Sequence, residues 1–117
     1  MGFDKSITYE KSFIFAIRTV KLYKFLTNSH KEFIISKQIL RSGTAIGALI
    51  REAKFAQSKA DFTHKLSIAL KEANETDYWI DLLYETQYLE TKMYKSIKMD
   101  IEELIKLLVT SVKSSKQ

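Results

Sequence analysis

The sequence predicts an all-α fold of four helices joined by short loops, on three observations. The 117 residues include no proline and only three glycines, whereas an all-β chain consumes both in its many turns. Hydrophobic residues make up 45% and charged residues 28%, the balance of a packed domain and not of a disordered chain. Apolar positions recur at helical spacing in four successive segments divided by short polar stretches. A chain of this length is expected to form one domain over residues 1–117.

The first helix is expected over about 6–26, where the polar stretch Thr27 to Lys31 breaks the pattern. It is apolar around more than half its circumference, through Phe13, Phe15, Ala16, Ile17, Val20, Leu22, Tyr23 and Leu26. The second is expected over about 37–56 with Ser36 as its N-cap. It directs Ile39, Gly43, Ile46, Ile50 and Ala53 to the core, and Ser42, Gly43, Ala45, Gly47 and Ala48 leave room for a neighbouring backbone. Each glycine gives up about 1 kcal/mol of helix propensity against alanine, so close approach is the compensation expected. A helix over about 59–87 follows Ser58-x-x-Asp61, a capping box with aspartate in the usual glutamate position. The short connection makes helices two and three antiparallel neighbours.

Helix three has a core stripe of Phe62, Leu66, Ala69, Ala73, Ile80 and Leu83, and a second strip of Ile68, Trp79 and Leu82 bordered by Glu72 and Glu75. One stripe suffices for a small bundle, and tryptophan is enriched among interface anchors. Ile68, Glu72, Glu75, Trp79 and Leu82 are therefore the candidate oligomer interface, the alternative being that helix three lies centrally and buries both strips within its own protomer. The fourth helix, about 94–112, buries Ile97, Ile101, Leu104, Ile105, Leu108 and Val112 opposite Lys98, Glu102, Lys106 and Lys113.

Catalytic chemistry is missing. The chain has no cysteine, hence no disulfide and no thiolate metal site, a composition that leans towards a reducing compartment. The Asp61-x-x-His64 pair has metal-ligand spacing, but no second pair exists for a di-iron bundle and the helical wheel turns His64 outward. Carboxylates on helix three scatter around its circumference; Asp77 alone lies at the edge of the core, where it needs a lysine or tyrosine partner. No phosphate loop, dinucleotide fingerprint or nucleophile elbow is present. A non-enzymatic protein is expected, with no catalytic residues, cofactor or metal. With no secretory signal and no bilayer-length apolar run, the expected location is the cytoplasm, without a membrane partner.

Charge is the informative feature. The net charge is +5, yet residues 1–71 hold 13 basic and 5 acidic side chains and residues 72–117 hold 6 and 9. Such asymmetry fits either a polyanion-binding surface or complementary faces that meet between subunits. Lys11, Arg18 and Lys21 on helix one, beside Ile14 and Phe25, and Lys37, Arg41 and Arg51 on helix two, beside Phe55, form the candidate nucleic-acid surface. Cations neutralise phosphates, and exposed aromatic rings stack on unpaired bases.

The runs Leu40-Arg41-Ser42-Gly43-Thr44-Ala45-Ile46-Gly47-Ala48 and Gln57 to Ala73, followed by Glu75-Thr76-Asp77-Tyr78-Trp79, closely resemble the four-helix-bundle proteins of 23S rRNA intervening sequences, often labelled S23 ribosomal proteins. The resemblance is strongest over helices two and three and extends to the whole chain in length and helix order. The chain departs from the family pattern at Leu49, Arg51 and Asn74, where Asn, Glu and Arg are common; the second change makes helix two more basic. The resemblance implies an all-α, up-and-down antiparallel four-helix bundle that assembles as a ring-like homopentamer. Through the related accessory variability determinant of diversity-generating retroelements, it also implies an association with nucleic acid and a reverse transcriptase. The resulting expectation is an oligomeric protein that binds structured RNA or DNA through its basic surface, the alternative being a protein-interaction scaffold or accessory subunit without direct nucleic-acid binding.

Overall fold

The periodicity is realised as four helices: α1 (Glu10–His30), α2 (Ile35–Lys54), α3 (Lys59–Glu85) and α4 (Thr91–Ser115), with a π-helical turn, Lys5–Tyr9, leading into α1. This computed structural model describes residues 5–117, with side chains from Ile7 onward. Among the described residues there is no strand, and consecutive helices pack against one another in chain order in a body of 44 × 21 × 20 Å. Cross-links such as Glu52–Lys65 and Arg41–Glu72 on α2 and α3, or Asp77–Lys98 on α3 and α4, show that neighbours run antiparallel.

Helix ends depart from expectation where the terminating chemistry is tertiary or uses an unusual residue. α1 continues to His30 because Thr27 bonds back to the Tyr23 carbonyl; it stops where Lys31 turns left-handed (φ 54°) and the amides of Lys31 and Glu32 close onto the Leu26 carbonyl. α3 ends similarly at left-handed Gln87 (φ 69°), with the Tyr88 amide on the Leu83 carbonyl and the Gln87 amide on that of Tyr84, a Schellman arrangement made without glycine. Ser58 caps α3 as expected, accepting from the Asp61 amide at 3.0 Å, while the Asp61 carboxylate reaches the Gln57 amide at 3.2 Å.

Ser36, expected to cap α2, instead lies inside the helix and donates to the Glu32 carbonyl. The cap is the buried Glu32 carboxylate, which accepts from the amides of Ile34, Ile35 and Ser36 at 3.1, 3.0 and 2.7 Å. One carboxylate thus satisfies three donors left unpaired by the first turn and sits at the positive end of the helix dipole. Burial works to raise its pKa, but the backbone hydrogen bonds outweigh burial and hold it below its ordinary value of 4.5. The depressed value stabilises the fold above the ordinary pKa, and that contribution is lost as pH falls through the folded one. Replacing Glu32 with Gln is expected to lower stability by about 1–2 kcal/mol at pH 7. Urea denaturation should show the gap between E32Q and the parent closing as the pH falls below the carboxylate range.

The core runs along Phe15, Leu22 and Leu26 of α1, the stripe expected on α2, Leu66 to Leu83 of α3 and Ile97 to Val112 of α4. α1 differs from the simple apolar reading. Its buried face carries Ser12 and Thr19 along with Phe15, Leu22 and Leu26, whereas Phe13, Ile17 and Val20 lie on the outer side. The reason is the glycine pair of α2. A Cβ on Gly43 would meet the Thr19 side chain at 2.7 Å, and one on Gly47 would meet the Ser12 backbone oxygen at 3.2 Å. Helices this close accept only small side chains, and the hydroxyls are satisfied on their own helix: Thr19 donates to Phe15 O at 2.8 Å and Ser12 to Tyr9 O at 2.8 Å.

Lys98, placed opposite the core by its helical position, is only 20% exposed and bonds Asp77 at 2.6 Å and Asp81 at 3.0 Å. It is the partner Asp77 requires. Tyr94 donates to the same Asp81 oxygen at 2.8 Å. Burial acts to lower the Lys98 pKa, but the two carboxylates prevail and raise it; hydrogen bonding to Asp81 likewise raises that of Tyr94.

Candidate functional site

The six basic candidates divide by what faces them. Lys11 pairs with Glu103 at 3.2 Å, and Arg18 donates to Asp100 at 2.7 Å and Ser96 at 2.8 Å. These bonds bridge α1 to α4, the two chain-end helices, which approach less closely than sequential neighbours do. Arg41 is held by Glu72 at 3.1 Å and by Glu75. Glu75 also accepts from the Trp79 indole at 3.0 Å; that bond and Arg41 hold its pKa below the ordinary carboxylate value, and Glu75 and Glu72 in turn raise that of Arg41. The excess of cations early in the chain and of acids late in it is therefore partly resolved within one protomer.

Lys21, Lys37 and Arg51 have no carboxylate partner among the described residues. Arg51 instead lies 5.3 Å from the Tyr9 ring centre and 5.7 Å from that of Phe13. Lys54, which the helical wheel leaves out because it falls towards the core side of α2, lies 5.1 Å from Tyr9 and 5.5 Å from Phe55. Lys54 is the last residue of α2, and a helical wheel does not show where the covering neighbours end. Two cations thus share one tyrosine ring, next to Phe55, which is 73% exposed. Glu52, the nearest acid on α2, is engaged by Lys65 at 2.9 Å.

The interface candidates on α3 are half-buried: Ile68, Glu72, Glu75, Trp79 and Leu82 all occupy the rim of the core, with Trp79 packed against it. The structure thus gathers Arg41 of the basic set with Glu72, Glu75 and Trp79 of the interface set. The widest apolar exposure lies on α1, where Phe13 (53%), Ile14 (61%), Ile17 (44%) and Val20 (38%) face outward. A groove of about 390 Å³ runs beside them between α1 and α2, floored by Ala16, Gly47 and Ala48. The surplus of apolar positions around helix one is the signal for this face; only the core assignment of α1 reveals where it points.

His64 is exposed, and among the described residues no group of three or more potential metal ligands gathers. No described helix is long and apolar enough to cross a membrane.

The model of the 23S rRNA-intervening sequence protein family matches residues 4–110. The chain belongs to that family. A solved structure of an S23 ribosomal protein family member of unknown function from Bacteroides thetaiotaomicron VPI-5482 is 58% identical, with a TM-score of 0.91, and the match covers 93% of this chain and 97% of that one. No curated protein matches the sequence. The S23 family thus brings a four-helix fold, and the functional reading rests on the surfaces just described.

Proposed function

We propose that this S23 family chain is a non-enzymatic homo-oligomer, the pentamer implied by the family resemblance, that binds structured RNA or other nucleic acid through the α1–α2 surface. The observation that carries the reading is that Arg51 and Lys54 pack on the rings of Tyr9, Phe13 and Phe55 with no carboxylate partner among the described residues; Lys21 and Lys37, likewise without one, add positive charge. Lys11, Arg18 and Arg41 serve the protomer's own carboxylates and contribute less to binding. The apolar face of α1 supplies the subunit contact. That same face also favours a second reading, a scaffold for a protein partner such as a reverse transcriptase.

Binding of a fluorescent 23S-derived hairpin across a salt series, with duplex DNA and an acidic polymer as controls, tests the proposal. Affinity is expected to fall steeply with salt, and the double reversal R51E/K54E should reduce the magnitude of the log–log slope by about 2. Reversing Arg41 should do less, because its charge is already compensated. Absence of binding at low salt would leave the scaffold reading in front.

A further inference from the structure

From the Tyr9–Arg51–Lys54–Phe55 cluster we infer that the RNA segment recognised at this end of the bundle is unpaired, its phosphates on Arg51 and Lys54 and a base stacked on Phe55. The inference rests on the nucleic-acid reading and narrows it to a ligand class and a place.

The geometry separates the two halves of a single-strand site. Tyr9 holds both cations at 5.1 to 5.3 Å from its ring centre, so the positive charge is concentrated where the start of α1 meets the end of α2. Packing on Tyr9 and Phe13 restrains the Arg51 guanidinium, which lowers the entropy lost when it meets a phosphate. Phe55 stands just past the last turn of α2, is 73% exposed, and makes its one described ring contact with Lys54. An exposed aromatic face beside paired cations fits a flat, uncharged group joined to a phosphate, which describes a nucleotide whose base is free of a partner strand. A fully paired duplex hides its base faces and could use the cations alone.

Lys54 also borders a cavity of about 470 Å³ at the α2–α3 turn, walled by Phe62 and lined by Gln57 and Ser111. The cavity is large enough for a nucleoside, and its amide and hydroxyl groups can meet a base edge while Lys54 stays on the phosphate. Unpaired nucleotides thus find both a stacking ring and a recess with polar groups in its wall beside one cation. A carboxylate-rich protein partner would use Arg51 and Lys54 without needing Phe55.

The test compares a hairpin carrying an unpaired loop with a blunt duplex of equal phosphate number, by fluorescence anisotropy at low and moderate salt. The parent protein is expected to bind the hairpin about 10-fold more tightly, the size of one base–aromatic stack. Phe55→Leu should abolish that preference while leaving duplex affinity and solution mass unchanged; R51E/K54E should weaken both RNAs. Equal binding of hairpin and duplex by the parent, or a preference that survives F55L, overturns the inference while leaving RNA binding itself intact. Loss of oligomer mass in F55L assigns the ring to a subunit contact and also overturns it. Failure of both RNAs to bind at low salt removes the parent reading together with it.

Discussion

Valine at position 43 is expected to lower the stability of this protein by about 3 kcal/mol, with alanine costing about 1. A Cβ there lies 2.7 Å from both Cγ2 and Oγ1 of Thr19, closer than unbonded atoms sit, and 3.2 Å from its Cβ. Thr19 cannot easily yield: its side chain is fully buried and its hydroxyl is committed to the Phe15 carbonyl. Alanine gains about 1 kcal/mol of helix propensity, so its net cost is the strain left after that gain, whereas valine adds two methyl groups in the same place. Thermal and urea unfolding would measure both changes. The double variant T19A/G43A should recover most of the loss, since it empties the space that the new methyl enters; a double-mutant cycle isolates that coupling. A G43A protein more stable than the parent by the full helix-propensity gain would mean that α1 and α2 separate without penalty, and the close approach would not matter to stability.

Ile17→Asp is the second large effect, this time on assembly. Ile17 is flanked by Phe13, Ile14 and Val20 on the outer side of α1, so a carboxylate there leaves the protomer's core untouched. Buried between subunits, the same carboxylate would be desolvated without a partner. A loss of at least ~2 kcal/mol of association, about 30-fold in affinity, is the expectation for a central anchor of an interface. Light scattering or sedimentation should show I17D as smaller species with unchanged helical circular dichroism. Trp79→Ala is the contrasting variant. Trp79 packs on the protomer's core and donates to Glu75, so its removal should cost fold stability first. Retention of full mass by I17D together with monomer release by W79A would move the subunit contact to α3.

Element type was legible because local patterning decides it. The stripes of α2 and α4, the core positions Leu66 to Leu83 of α3 and the Ser58 cap all follow from periodicity and from a residue three positions away. The cap of α2 was not: Glu32 works through a turn that exists only because Lys31 adopts a left-handed conformation, and Ser36 offered a simpler local candidate. The candidate site was legible in composition and not in pairing. Arg18 meets Asp100 across 82 residues and Lys11 meets Glu103 across 92, so no window along the chain reveals that those cations are compensated.

That four amphipathic helices form, that the two helical glycines invite close packing, and that positive charge prevails over residues 1–71 can all be read from the chain without its fold. Each of these follows from spacing and residue chemistry within a few turns. Which face of α1 is buried depends instead on how the helices dock. Hydrophobicity favours Phe13, Ile17 and Val20, but the narrow gap over Gly43 and Gly47 admits Ser12 and Thr19, and the larger side chains are turned outward. The same docking decides which cations stay free. It sets Lys11 and Arg18 against α4 and Arg41 against α3, and leaves Arg51 and Lys54 at the open end of the bundle on the ring of Tyr9. Steric fit between backbones outranked apolar surface here because a methyl group without space is forbidden, whereas an exposed isoleucine costs only a modest amount of hydration free energy.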